Sequence, residues 1–376
     1  MRSPMCETDI VFALTGDVRR NSRAIRQLRA LVAMGVTVDV LTLSESGGDG
    51  VPDVEIHELP RPAGRGPQFF LRVHRLFADA VKKLHARVYH ASDLYTLPAM
   101  RAAARRYSAR MTFDARELYT RVASTASRPW SRAVWRLVEG RHIGHADAVF
   151  TVSESIARHL EKMYGIPTPV VVHNVPEMQH VEASPLLRGD LDSETTLLLH
   201  QGQIQKHRGC FPLVRAMREV EGAALVFLGG GPLKKALEEY VINNRLEARV
   251  RFKEPVAPDH LLPLTAGADV GITLLEDTCL NHRFALPNKL FEYLMAGLPV
   301  VASNLPEIRS VVESFDVGCI VDPEDHSQLV HTLQHVTRDR EARKKWAANT
   351  VSVFETFSWE KASHHFTDVY YRLLSS

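Results

Sequence analysis

The 376-residue sequence is short of several things. It has four cysteines, Cys6, Cys210, Cys279 and Cys319, far apart and without a CxxC pair. That excludes a disulfide framework and a cysteine zinc site, and it points to a reducing compartment. No apolar run approaches the ~20 residues that a membrane-spanning helix needs. Met1 to Asp9 lacks the charged-then-apolar pattern of a signal peptide, so the expected location is cytoplasmic. There is no short-period repeat and no low-complexity segment. The 18 histidines are scattered, with no metal-ligand spacing, so no metal is expected. The net charge is only +2 and no recognition motif occurs, which argues against nucleic-acid binding. What remains is 45% hydrophobic and 24% charged, ordinary for a globular chain. At roughly 100–200 residues per domain, the length allows two or three domains.

The small net charge hides an asymmetry. Residues 1–188 carry 26 Lys/Arg against 19 Asp/Glu, a net +7, and the remainder carries 20 against 25, a net −5. Two domains with different partners fit that division.

Short apolar runs ended by small residues recur along the chain and read as strands buried on both faces of a parallel sheet. In the first half they are Ile10 to Leu14, Val36 to Leu43, Val88 to His90, Arg110 to Phe113, Ala148 to Val152 and Val170 to Val172. In the second half they are Thr196 to His200, Ala224 to Leu228, Val250 to Phe252, Val270 to Leu274, Val300 to Ala302 and Cys319 to Val321. Between Leu14 and Val36, Ile25, Leu28, Leu31 and Val32 share one helical face, with Ser22 as the expected cap. Strand–helix–strand units of this kind build doubly wound domains. Residues 177–194, with Pro185 and Gly189 and no period, read as a linker. The expectation is an α/β chain of two Rossmann-like domains in tandem, 1–176 and 195–358, facing across a central cleft.

Three stretches in the second half carry chemistry. Gly202, after the first strand, allows a turn close to a ligand, and Lys206 and Arg208 add charge beyond it. Arg208 suits a bidentate grip on phosphate. The run Gly229-Gly230-Gly231-Pro232 closes the next strand and permits close backbone approach, although a plain tight turn needs the same residues. Ala285 to Pro299 holds Pro287, suited to a first helical position, and then Asn288, Lys289 and Glu292. Lys289 and Glu292 lie three apart on one face, so a cation and a carboxylate stand side by side, fit to read a phosphate and a ribose diol.

Taken in order, these stretches resemble the family 4 glycosyltransferases. The resemblance runs through Ala296-Gly297-Leu298-Pro299-Val300-Val301-Ala302-Ser303, Leu305-Pro306-Glu307, Val317-Gly318 and Asp322-Pro323. It also covers Asp9 to Leu43, His90-Ala91-Ser92-Asp93-Leu94, Asp114-Ala115-Arg116-Glu117-Leu118 and Thr151-Val152-Ser153-Glu154 in the first half. Ser358-Trp359-Glu360 resembles the family's entry into a last helix, here 359–376, that crosses back onto the first domain. The resemblance implies the GT-B fold and transfer of a sugar from a nucleotide diphosphate to an acceptor hydroxyl with retention. No cofactor is implied beyond the nucleotide sugar, which is a co-substrate. Cell-envelope polysaccharide, glycolipid and natural-product assembly are the expected settings.

The implied donor residues are Gly16, Gly202, Gln203, Arg208, Gly230, Gly231, Asn288, Lys289 and Glu292. The implied catalytic residues are Arg208, Lys289, Asp17 and Asp93, and Asp93, Asp114, Arg116 and Glu117 are the acceptor candidates. The departing pyrophosphate gathers negative charge, so fixed cations aimed at it are the effective catalyst. The sequence departs from the family where arginine commonly follows the first glycine, which is Gln203 here. The lysine of that loop is exchanged for Arg208, and the first of two glutamates separated by seven residues falls on Phe284. Arg116 stands where histidine is common. These changes keep a second expectation open, a degenerate homologue that binds nucleotide and partners another protein. An epimerase or phosphorylase of the same architecture is the enzyme alternative.

Asp190-Leu191-Asp192 has the spacing of a metal-dependent sugar transferase but lies in the linker. His142-Ile143-Gly144-His145 spells a nucleotidyl-transfer signature but closes a helical pattern, so both are set aside. Arg101 to Arg141 holds ten arginines against three carboxylates. Within it, 128–136 interleaves arginines with Trp130 and Trp135, which suits peripheral contact with an anionic membrane. Tryptophans packed inward under a solvated helix are the simpler reading, and the favoured one.

Overall fold

The structure, a computed structural model, describes residues 8–43, 51–64, 66–123 and 128–375. Cys6 and the segment before Thr8 lie outside them. The chain splits into two compact units, Met1–His173 with Lys361–Ser376, and Asn174–Glu360.

The first unit is a parallel sheet of β1 (Thr8–Leu14), β2 (Val38–Leu43), β3 (Glu55–Leu59), β4 (Ala86–Ala91), β5 (Arg110–Asp114), β6 (Ala148–Thr151) and β7 (Val170–Val171). Its order is β3-β2-β1-β4-β5-β6-β7. The helices are α1 (Ser22–Ala33), α2 (Gly66–Val81), α3 (Leu97–Tyr107), α4 (Pro129–Ile143) and α5 (Glu154–Tyr164). Every residue of β1 and β2 is buried, as the apolar runs require of strands covered on both faces. Asn21, not Ser22, caps α1, because its side chain accepts from the Ala24 N–H. Ser153 caps α5 by accepting from Ile156 N–H. Strand β3 and helix α2 were not anticipated, since β3 is an edge strand with no buried face.

The second unit is a parallel sheet of β8 (Thr196–Gln201), β9 (Ala223–Leu228), β10 (Val250–Lys253), β11 (Val270–Thr273), β12 (Val300–Ser303) and β13 (Gly318–Val321). Its order is β10-β9-β8-β11-β12-β13. Its helices are α6 (Cys210–Ala216), α7 (Lys234–Asn243), α8 (Pro258–Ala266), α9 (Leu280–Arg283), α10 (Asn288–Met295), α11 (Pro306–Phe315), α12 (His326–Arg338) and α13 (Arg340–Val353). Leu198, Leu213, Leu225, Phe227, Ile272 and Leu333 centre one core of fully buried apolar side chains. Burying each stabilises the fold by roughly 1.5–3 kcal/mol.

Residues 177–194 are part of the second unit rather than a free linker. Ser184 N–H donates to Pro263 O at 2.8 Å, Leu187 is buried, and Arg188 pairs with Asp269 at 2.6 Å. The last helix, α14 (Trp359–Ser375), belongs to the first unit from Lys361 onward. Its Phe366 and Tyr370 rings pack on Phe150, and the Tyr370 hydroxyl lies 3.0 Å from that of Thr112 and 2.8 Å from His90 Nδ1.

Both sheets reverse strand order once, between β1 and β4 and between β8 and β11. Ligands of open parallel sheets bind outside the carboxyl ends of the strands at such switch points. The loop after β8 and the loop after β11 meet there, because Glu276 N–H donates to His207 O.

Candidate active site

In the second unit the switch point gathers the three motif stretches. The loop after β8 leaves the sheet at Gly202, which has φ +98°, open to glycine and costly to other residues. A Cβ there would stand 3.9 Å from Lys289 Cε, so the lysine stem lies along the loop. Lys289 enters at the start of α10, whose N-cap is Pro287. Proline has no side chain able to cap, and the first N–H groups of a helix have no partner within it. Burial, helped by the Arg208 charge, lowers the Lys289 pKa to about 8 against opposing pulls from Cys210 and Glu292. Arg208 and Lys289 therefore share one patch of positive potential. Two cations held together against their own repulsion suit an anion carrying more than one charge.

Glu292 sits one turn beyond Lys289 on α10. Gln201, the last residue of β8, donates from its Nε2 to Glu292 Oε2 at 2.5 Å. Its own N–H donates to the Tyr293 hydroxyl at 2.8 Å, and that hydroxyl donates to Ile272 O at 3.1 Å. Strand and helix are thus pinned together beside the carboxylate. Gln201 is not among the residues expected from the sequence, because its partners Glu292 and Thr265 are remote in the chain. His207 is a second such residue. Its Nδ1 lies 2.9 Å from Glu276 Oε2, which fixes the loop that carries Arg208.

The glycine run has a reason internal to the chain. A Cβ on Gly229 would fall 2.0 Å from Gly202 O, and one on Gly231 would fall 2.4 Å from Ile204 O. Gly202 N–H and Ile204 N–H donate to Leu228 O and Gly230 O, both at 2.9 Å. The run shapes the loop after β8 by letting two backbones touch. At Gly230 a Cβ would meet Pro255 Cγ only at 3.5 Å, so that position is the permissive one of the three. Gln203 and Gly202 are exposed on the outer side of the loop, and Asn288 is half-buried at the first position of α10.

In the first unit the carboxylates expected to meet an acceptor are partly used up by the fold. Asp114 is fully buried. Arg23 grips it with Nε at 2.7 Å and Nη2 at 2.9 Å, and Gln27 Nε2 adds a third donor at 2.9 Å. Burial opposes its ionisation, and the Arg23 charge overcomes that, holding the carboxyl below its ordinary range. Asp114 therefore leaves the acceptor set. Asp93 is 3% exposed, and it is also structural. Its Oδ2 accepts from Thr15 N–H and hydroxyl at 2.8 and 2.9 Å, and its Oδ1 from Tyr95 and Thr96 N–H at 3.0 and 3.1 Å. That carboxylate ties the end of β1 to the loop before α3, so neither the catalytic nor the acceptor role expected of Asp93 fits four bonds within the fold. Asp17 caps a short 3-10 turn by accepting from Arg19 N–H at 3.0 Å. Gly16 beside it has open space where a Cβ would stand. Glu117 is exposed and Arg116 half-buried. Burial works against the Arg116 charge, but Tyr119, Asp114, Asp93 and Glu117 outweigh it and raise its pKa.

Asp190 pairs with Arg251, and Asp192 Oδ1 accepts from Glu194 N–H, so the DxD spacing serves local contacts. His142 to His145 closes α4. Among the described residues one set has metal-ligand spacing, Asp39, Glu55 and His57 on β2 and β3, where His57 Nε2 already lies 2.9 Å from Asp39 Oδ1.

Two family models match in succession. "Glycosyl transferase 4-like domain" covers residues 21–175, and "Glycosyl transferases group 1" covers residues 188–352. The chain belongs to the GT-B family 4 glycosyltransferases. The fold is similar to the sucrose-phosphate synthase of Thermosynechococcus elongatus, with a TM-score of 0.83, 17% identity, and 98% of this chain and 100% of that chain covered. It is similar also to Anabaena Alr3699/HepE in complex with UDP-glucose, with a TM-score of 0.76, 15% identity, and 98% and 100% covered. The D-inositol 3-phosphate glycosyltransferase of Corynebacterium diphtheriae is 25% identical over 213 residues, 54% of this chain and 47% of that protein. The chain spans about half the length of the curated relatives it matches. Set against the family pattern, it has a basic residue at 208, a glutamate at 292 and the glycine run. It departs at Gln203 and Phe284.

Proposed function

We propose that this chain transfers a sugar from a nucleotide diphosphate sugar to an acceptor hydroxyl with retention, in glycolipid or polysaccharide assembly. The carrying observation is the pairing at the second switch point of two cations, Arg208 and Lys289, with a carboxylate, Glu292, held by Gln201. Glu292 would take the ribose hydroxyls. Lys289, Arg208 and the α10 N-terminus would take the diphosphate, and the negative charge that grows there as the glycosidic bond breaks is what they stabilise. The departing phosphate would accept the acceptor's proton, so the chain supplies positive charge and orientation rather than a base. Arg116 and Glu117 are the first unit's candidates for acceptor recognition.

Thermal stabilisation by UDP-, GDP-, ADP- and dTDP-sugars tests the donor. A donor at about 100 times its dissociation constant stabilises by about 2.7 kcal/mol. One nucleotide class is expected to shift the wild type, and Glu292→Ala is expected to lose about 1.5–3 kcal/mol of that binding. Above pH 8 the affinity of the wild type is expected to fall as Lys289 loses its proton, while Lys289→Arg holds it. No shift with any donor would favour the degenerate homologue, and release of nucleotide diphosphate only with acceptor present would exclude it.

Helix α4 supports a second proposal, peripheral contact with an anionic membrane. Trp135 packs inward, its ring 4.9 Å from Phe70 and 5.1 Å from Tyr95, but Trp130 is 85% exposed, so the favoured inward reading holds for one of the two tryptophans. Val134 and Leu137 follow Trp130 on the same exposed face, flanked by exposed Arg128, Arg136 and Arg141. Among the described residues no helix is long and apolar enough to cross a membrane. Each basic side chain near an anionic surface contributes about 1 kcal/mol. Co-sedimentation with phosphatidylglycerol vesicles is expected to exceed that with phosphatidylcholine vesicles and to fall with salt and with Trp130→Ser. Equal sedimentation with both vesicles would sink the proposal.

A further inference from the structure

We propose that Gln201 is a positioning residue which fixes the Glu292 carboxylate for the ribose diol and so sets the preference for ribose over deoxyribose nucleotides. This rests on Glu292 being the ribose ligand.

Gln201 is 1% exposed at the carboxyl end of β8. Its amide has two neighbours, the Thr265 hydroxyl at 2.8 Å from Oε1 and Glu292 Oε2 at 2.5 Å from Nε2. The charge on Glu292 decides which way the amide faces, because an amide oxygen at that distance from a carboxylate oxygen would be repelled. The Thr265 hydroxyl has one hydrogen and two acceptors in reach, Gln201 Oε1 and Leu261 O, both at 2.8 Å. With Nε2 committed to Glu292, that hydrogen completes Oε1. The relay Thr265–Gln201–Glu292 is thereby directional and anchored at both ends. Thr265 is fully buried on α8, and the Gln201 backbone is pinned to Tyr293 on α10.

Two adjacent ribose hydroxyls donating to one carboxylate need its plane held in one orientation. A Glu side chain alone has freely turning torsions and gains nothing from the second hydroxyl until it is ordered. The bond from Gln201 is charge-assisted, and it supplies that order before the ligand arrives. Gln201 thus acts through Glu292 and not on the diphosphate, which Lys289 and Arg208 face.

The experiment titrates UDP, ADP and GDP, each beside its 2′-deoxy and 3′-deoxy analogues, and inorganic pyrophosphate. Wild type, Gln201→Leu, Gln201→Glu and Glu292→Ala are compared by calorimetry. The wild type is expected to prefer the ribonucleotide, and Gln201→Leu to lose about tenfold of that preference with pyrophosphate affinity unchanged. Gln201→Glu, the near-isosteric variant, places two carboxylates where one proton must be shared. Its preference is expected to persist at low pH and vanish as pH rises, a profile that a merely structural role would not give. Retained preference in Gln201→Leu, or a pH-independent Gln201→Glu, would overturn the proposal. If the wild type shows no preference and Glu292→Ala binds nucleotide equally well, the reading of Glu292 itself fails, and the proposal with it.

Discussion

Asp114→Asn is expected to destabilise the first unit by about 3–5 kcal/mol, the usual consequence of removing one partner from a buried ion pair. Asp114 and Arg23 are 0% and 2% exposed. The asparagine keeps the shape and loses the charge, so the Arg23 guanidinium stays in the interior with only Val172 O, at 2.6 Å, and an amide to meet it. Arg23 comes from α1, Asp114 ends β5, and Val172 follows β7. One side chain therefore clamps a helix to two strands, and its loss loosens all three. At about 2–4 °C per kcal/mol for a unit of this size, the melting temperature should fall by on the order of 10 °C. Denaturant unfolding of the variant and of Arg23→Met/Asp114→Leu checks the mechanism. The double replacement removes the stranded charge as well as the pair, so it should recover part of the loss. A cost below about 1 kcal/mol for Asp114→Asn would mean that water reaches the pair.

The second large effect is expected from Glu139, fully buried on the inner face of α4. Burial raises its pKa to about 7, and the Tyr164 hydroxyl, which donates to Oε2 at 2.6 Å, pulls the other way. Among the described residues Oε1 has no hydrogen-bond partner. The folded chain therefore holds a proton that the unfolded chain releases near its ordinary carboxylate range. Between roughly pH 4.5 and 7 the folded state binds more protons, so this group's contribution is complete below that window and is lost as pH rises through it. The swing is on the order of 3 kcal/mol. Glu139→Gln has no proton to lose. The difference in unfolding free energy between variant and wild type should move by about that amount in the variant's favour from pH 4.5 to 8. A difference that stays flat across the window would show that Glu139 ionises as freely folded as unfolded. Because α4 also carries the exposed Trp130 face, the same series on vesicles reports whether that face needs the helix intact.

The strand runs were legible because a strand covered on both faces has no choice but continuous apolar sequence, as in β1, β8 and β9. β3 was not, since Glu55-Ile56-His57-Glu58-Leu59 pairs on one edge only and buries no residue. The placement of Lys289 and Glu292 one turn apart on α10 was legible from helical spacing. Asp93 and Asp114 misled because a carboxylate at a strand's carboxyl end looks the same whether it awaits a ligand or receives Thr15 or Arg23. Those partners are 78 and 91 residues distant and leave no local trace. Gln201 was hidden for the same reason, since its meaning lies in Thr265 and Glu292. The glycine run suited either a ligand's approach or a tight turn, and its close approach is to the neighbouring loop of the chain itself.

The membership of α14 has a consequence for biosynthesis. Phe366 and Tyr370 fill the first unit beside Phe150 and Thr112, yet they are translated after the whole of the second unit. A nascent chain leaving the ribosome can finish its second unit while the first still exposes the apolar surface those two rings will cover. Quality control during synthesis would then fall on the unit that emerges earliest, and a stop codon just ahead of Trp359 would leave an intact second unit attached to a first unit unable to close its core.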